Sequence, residues 1–169
     1  MEDDPPAWIL LERFERTRAW RRIHDEFAFA PSADPTVVPF TFRMPVDAYD
    51  ISGSGLRERD EELIGVVRSI FAEAVGDDDY LLVLDWQHDG YRYDPRVPES
   101  VPADGDHDDG RFYPPEFFPH GEYYFFVACD LSWGYLLHPW REMAWVYGEP
   151  LRTIFRNHSQ RLGFAAVSW

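Results

Sequence analysis

Two histidines stand near carboxylates at spacings that invite a chemical reading. Asp85-x-x-His88 could be a carboxylate–imidazole metal pair, or a base with its orienting acid. The surrounding hydropathy argues otherwise. Residues 80–86 are apolar at nearly every position, as in a strand buried on both faces. Residues three apart on a strand point to opposite faces. On that geometry His88 shares its face with Trp86, Tyr91 and Tyr93, which reads as a packed aromatic surface rather than a metal site. His138 closes a second apolar run in His138-Pro139-Trp140. It would become a general base if a carboxylate reached it, and Asp130 and Glu142 are the nearest in sequence. Neither has diagnostic spacing, so an imidazole bonded to backbone at a strand end is expected instead.

The remaining reactive types carry weaker signals. Ser52-Gly53-Ser54-Gly55 lacks the leading glycine of a nucleophile elbow and reads as a turn that caps a helix. Cys129 is the single cysteine, so no internal disulfide and no Cys-x-x-Cys motif exists. It lies in an apolar strand, which should raise its pKa and make it inert. Asp104-Gly105-Asp106-His107-Asp108-Asp109-Gly110 echoes the start of a calcium loop. However, the sixth position is Asp109 where glycine is needed, and the twelfth is Pro115 where a bidentate glutamate is needed. A solvated acidic loop is expected there. No metal or cofactor motif emerges.

Elements that would position these residues can be read from periodicity. Residues 8–27 have helical spacing, with Leu10, Leu11, Phe14, Trp20, Ile23 and Phe27 near that spacing. Pro31, Pro35 and Pro39 break the chain, and the alternation over 37–44 suggests a strand in which Pro39 marks an edge or a start position. Leu56, Leu63, Val67, Ile70, Phe71 and Ala74 share one face of a second helix. Ser52 or Ser54 would cap it, and Gly76 would close it. Residues 80–86 and 123–129 are apolar on both faces and predict central strands, while 133–137 and 143–147 predict further strands. Asp89-Gly90 is a two-residue hairpin signal that would pair His88 with Tyr91 and Trp86 with Tyr93. The proline-rich stretch 94–119 reads as an irregular loop, and Pro150 opens a last helix to His158. The expectation is a single α+β domain over 1–169, a mostly antiparallel sheet packed with helices.

The chain has 169 residues, with 31 acids and 16 bases, all of the latter arginine, for a net charge of −15. The absence of lysine excludes Schiff-base chemistry and a Walker-type phosphate loop. A negative field repels phosphate backbones, so no nucleic-acid partner is expected. No apolar run approaches the ~20 residues that span a bilayer, and no basic-then-apolar leader opens the sequence, so neither membrane nor export is expected. One thiol fits a reducing cytoplasm. Residues 76–110 carry eleven acids against two arginines, a net of −9, whereas 151–169 carry three arginines and no acid.

The segment containing Pro119-x-Gly121-x-Tyr123-Tyr124, Asp130-x-x-Trp133-Gly134, His138-Pro139-Trp140 and Gly148-Glu149 resembles an uncharacterised bacterial family, domain of unknown function 2716. Trp86-Gln87-His88-x-x-Tyr91 and Phe27-x-Phe29-x-Pro31-Ser32 extend the likeness over most of the chain. The resemblance implies a compact domain and brings no activity. From the residues themselves, the expected function is a non-catalytic, antitoxin- or immunity-like domain that captures a basic protein. Asp77, Asp78, Asp79, Asp104, Asp106, Asp108 and Asp109 would steer the partner, and exposed Trp86 and Tyr91 would anchor it. The alternative is a small-ligand binder or hydrolase-like enzyme using His88, His138 and Asp130 in a pocket.

Overall fold

The doubly apolar segments form the middle of one antiparallel sheet. The computed structural model describes residues 5–77, 79–98 and 114–168. In chain order the elements are β1 (Trp8–Leu10), α1 (Arg13–Phe27), β2 (Val46–Asp50), α2 (Leu56–Ala74), β3 (Leu81–Asp85), β4 (Gly90–Tyr93), β5 (Tyr124–Ala128), β6 (Gly134–Leu137), β7 (Met143–Tyr147), α3 (Leu151–Leu162) and β8 (Ala165–Val167). Among the described residues the sheet has eight strands, in the order β1-β4-β3-β5-β6-β7-β2-β8. The fold is therefore α+β, with helices on both faces of the sheet. Among the described residues, no helix is long and apolar enough to cross a membrane.

Alternation along the strands sorts side chains into two cores. Leu81, Val83, Tyr124 and Phe126 face α2 and α3 and pack with Leu63, Phe71 and Phe155. Leu82, Leu84, Tyr123, Phe125 and Trp145 face α1 and the coil after it, packing with Ile23, Phe27, Phe29 and Phe40. Both faces are covered, as the apolar strands require.

Several local expectations are corrected. The helix expected over 8–27 begins only at Arg13, because Trp8–Leu10 adds to the sheet edge opposite Tyr91–Tyr93 and Trp8 stacks on Tyr93 at 3.9 Å. Residues 37–44 form no strand. Their alternation instead reflects a coil lying on the sheet, with Phe40 buried, and the ladder strand follows it at Val46–Asp50. Neither serine caps α2: Gly55, at φ 71°, holds the N-cap position and Ser52 is bonded to Asp50. Gly76 does not close that helix, whose C-cap is Val75 in an extended conformation. The last helix runs on to Leu162.

The hairpin register is also different. Leu84 pairs with Gly90 and Val83 with Tyr91, so residues 86–89 form a longer connection and Gly90 is a strand residue. Close packing explains the glycine. A side chain there would meet Leu84 at 2.9 Å and Leu11 at 3.0 Å, where the Leu11 amide donates to the Gly90 carbonyl at 2.8 Å.

Candidate functional site

Asp85 ends β3 on the α2/α3 side, following Val83, and lies opposite Tyr124. The strand stops there, and the connection turns back so that His88 Nδ1 lies 3.0 Å from Asp85 Oδ1. The opposite-face argument for Asp85 and His88 therefore fails, because it assumed a strand running through residue 88. Trp86, Tyr91 and Tyr93 do not form one aromatic face: Trp86 packs against the α1-side core, whereas Tyr91 and Tyr93 lie in the α2/α3-side core. On the neighbouring strand the Trp86 amide donates to the Tyr123 carbonyl at 3.1 Å, which fixes the segment before β5 beside Asp85. Glu122 thereby comes within 3.9 Å of His88 Nδ1. One donor atom each from Asp85, His88 and Glu122 lie within 4.8 Å of one another.

The electrostatics follow from burial. Asp85 is only 7% exposed and is the one buried acid among the described residues. Desolvation pushes its carboxyl up to about 6; His88 opposes this, and Glu122 and Asp89 add to it. The hydrogen bond to Asp85 raises His88. Burial, with Asp89 and Asp85 nearby, pushes the Tyr91 phenol up to about 12. Burial raises Tyr124 as well, helped by Asp85, Glu116 and Glu122. Negative potential thus collects at this end of the sheet. Aromatic rings line the same end of the sheet on its α1 side: Trp86 meets Tyr123 at 5.8 Å, Tyr123 meets His138 at 5.2 Å, and His138 meets Trp140 at 5.9 Å. Trp86 is half-buried and Trp140 is 53% exposed.

The other sequence-derived residues are dispersed. Tyr91 is buried in the α2/α3-side core, which removes it as an exposed anchor. Asp77 and Asp79 are exposed before the start of β3, one strand length from Asp85. There Arg96 donates to the Asp77 carbonyl and to the Asp79 carbonyl at 2.8 Å, and so ties this turn to residues 94–96. Asp78, Asp104, Asp106, Asp108 and Asp109 lie outside the described residues. His138 is fully buried. Its Nε2 lies 3.2 Å from the Val37 carbonyl, and its Nδ1 accepts from the Trp140 amide at 3.2 Å, as expected of a histidine bonded to backbone. It follows Leu136 onto the α1 side of the sheet, opposite Asp85. Asp130 lies beyond the other end of β6 and accepts from Ser132, Oγ at 2.6 Å, which lowers its pKa. His88, His138 and Asp130 therefore do not converge. Burial pushes the Cys129 thiol up to about 11, and the thiol donates to the Tyr80 carbonyl at 3.0 Å.

Glu122, Glu116 and Trp140 escaped the sequence reading of the site. The signal for Glu122 is the β3–β5 register, and single-chain periodicity does not contain it.

A family model described as "Protein of unknown function (DUF2716)" matches residues 10–152. The chain is 29% identical over 160 residues to the "Uncharacterized protein YxiI" of Bacillus subtilis (strain 168), covering 89% of this chain and 93% of that protein. No solved structure matches.

Proposed function

The chain belongs to the DUF2716 family, described only as of unknown function, so we propose from the site itself that it is a non-catalytic acidic domain, immunity-like, that captures a basic protein. One observation carries this reading: Asp85, Asp89, Glu116 and Glu122 cluster at the sheet end that also presents Trp86 and the exposed Trp140. Carboxylates raise the encounter rate of a cationic partner, and a large aromatic ring with one face in solvent supplies the buried contact that holds it. The acids at 77–79 and 104–109 add to the long-range field of a molecule carrying a net charge of −15. A single cysteine favours a reducing compartment such as the cytoplasm as the place where this capture occurs.

The 3.0 Å contact between Asp85 and His88 favours a second reading, a small-ligand or hydrolase-like site. It would have to work without His138, whose ring nitrogens are engaged by backbone.

Affinity capture from the native lysate separates the two readings. Wild type should retain a protein of high isoelectric point that elutes as salt rises. Both Glu116→Gln/Glu122→Gln and Trp140→Ala should lose it. Retention unaffected by either change would overturn the capture reading.

A further inference from the structure

We infer that Asp85, His88 and Glu122 form a binding site for one first-row divalent metal ion, an inference that shares Asp85 and Glu122 with the acidic cluster above but does not rest on partner capture. The donor set is one imidazole nitrogen and two carboxylates, a mixture that suits zinc or manganese better than magnesium or calcium.

The spacing fits an ion. Two donors each about 2.1 Å from a metal, at angles between square and tetrahedral, stand roughly 3.0–3.4 Å apart. His88 Nδ1 and Asp85 Oδ1 already stand at 3.0 Å. Glu122 Oε1 is 3.9 Å from the same nitrogen, and with all three donors within 4.8 Å of one another it needs to close by about 1–2 Å, a side-chain adjustment for a half-buried glutamate. Backbone fixes the frame on both sides. Asp85 is held in the β3–β5 ladder, and the Trp86 amide bonds the Tyr123 carbonyl next to Glu122.

A second observation, independent of spacing, also calls for a cation. Elsewhere in the fold, several partly buried carboxylates are answered by guanidinium groups, while Asp50 accepts from the Ser52 amide and hydroxyl. Asp47 pairs with Arg152 at 3.0 Å and Arg156 at 2.7 Å, Asp94 pairs with Arg96 at 2.8 Å, and Glu15 pairs with Arg92. Asp85 is more buried than any of these, yet among the described residues no arginine pairs with it or with Glu122. A desolvated carboxylate beside a second carboxylate is unfavourable without positive charge. A divalent ion supplies that charge. The His88 side chain is 59% exposed, so the ion would keep coordination positions open to water.

The test uses the full chain, stripped with chelator and titrated calorimetrically with zinc chloride at pH 7. One equivalent should bind saturably. Asp85→Asn, His88→Ala and Glu122→Gln should each weaken it at least 10-fold, and His120→Ala should leave it unchanged. Zinc should also raise the melting temperature of wild type and not of His88→Ala, a change at an exposed residue that leaves the core intact. Absence of saturable binding would overturn the inference. So would affinity that persists in His88→Ala but falls in His120→Ala, or magnesium binding as tightly as zinc.

Discussion

The imidazole of His88 is held 3.0 Å from the carboxylate of Asp85 at the point where a buried strand turns outward. Three residues separate them, and the turn at 86–88 converts a spacing that would diverge on a strand into a direct contact. The pair joins a water-excluded acid to a solvent-facing base. Its titration behaviour follows from that asymmetry.

Asp85 should make the metal-free protein less stable as pH rises. Its folded-state value, about 6, lies above the ordinary 3.8, so the folded state holds a proton that the unfolded state releases. The associated stability is complete below about pH 4 and is lost between about pH 4 and 6. Asp85→Asn retains an acceptor for His88 and cannot ionise. In chelator, the difference in unfolding free energy between this variant and wild type should grow across that window, favouring the variant at pH 7 by about 1–3 kcal/mol. Urea titrations at pH 4 and pH 7 measure it. A pH-independent difference would contradict a buried, destabilised carboxylate.

His138 should prove structural. With Nε2 donating to the Val37 carbonyl, its Nδ1 must stay unprotonated to accept the Trp140 amide. Burial pushes its pKa down accordingly. His138→Phe removes the partner of the Trp140 amide and of the Val37 carbonyl, both in part-buried hydrogen bonds, and should cost about 1–3 kcal/mol. In wild type, the stability tied to neutral His138 is present above its ordinary pKa and falls as pH drops through the lowered one. Denaturation of the variant should lack that contribution, and zinc affinity should be unchanged in the folded protein.

Packing makes a sharper contrast. Phe126 is fully buried, stacked on Phe71 at 5.4 Å and 5.9 Å from Tyr135. Phe126→Ala should cost about 3–5 kcal/mol. Phe14 is 72% exposed, and Phe14→Ala should change stability by less than about 0.5 kcal/mol. Gly148, at φ 74°, approaches backbone so closely that an added Cβ would lie 2.7 Å from Trp133 Cα. Gly148→Ala should therefore destabilise by about 1–3 kcal/mol through strain alone. Chemical denaturation ranks all three.

Much of the architecture was legible in the chain because it rests on burial. The two-sided apolar runs at 81–85 and 124–128 became central strands, and the stripe from Leu63 to Ala74 became the buried face of α2. Edges were harder. Trp8–Leu10 and Ala165–Val167 are three residues each, too short for a period to show, and β1 is sequestered by stacking on a residue 85 positions away. The site was less legible still. Asp-Gly at 89–90 mimicked a tight turn, although Gly90 is glycine because Leu84 and Leu11 leave no room for a side chain. Moving that register reversed the geometry of Asp85 and His88. Glu122 joined them only through pairing between strands nearly forty residues apart.

The location of the recognition surface is testable by comparing the two ends of the sheet. Glu116, Glu122 and Asp89 lie at the end with Trp140, whereas Asp77 and Asp79 lie beyond the other end of β3. For the proposed basic partner, neutralising Glu116 and Glu122 should lower the association rate constant at low ionic strength by about 10-fold or more and flatten its salt dependence. Neutralising Asp77 and Asp79 removes the same formal charge and should lower the rate by no more than about 3-fold, since those groups act only through the overall field. Trp140→Ala should instead speed dissociation with little effect on association. Stopped-flow or surface kinetics at two salt concentrations resolve these effects. If the Asp77/Asp79 pair proves the more sensitive, the docking face belongs at that end, and the cluster beside Trp140 has no part in steering.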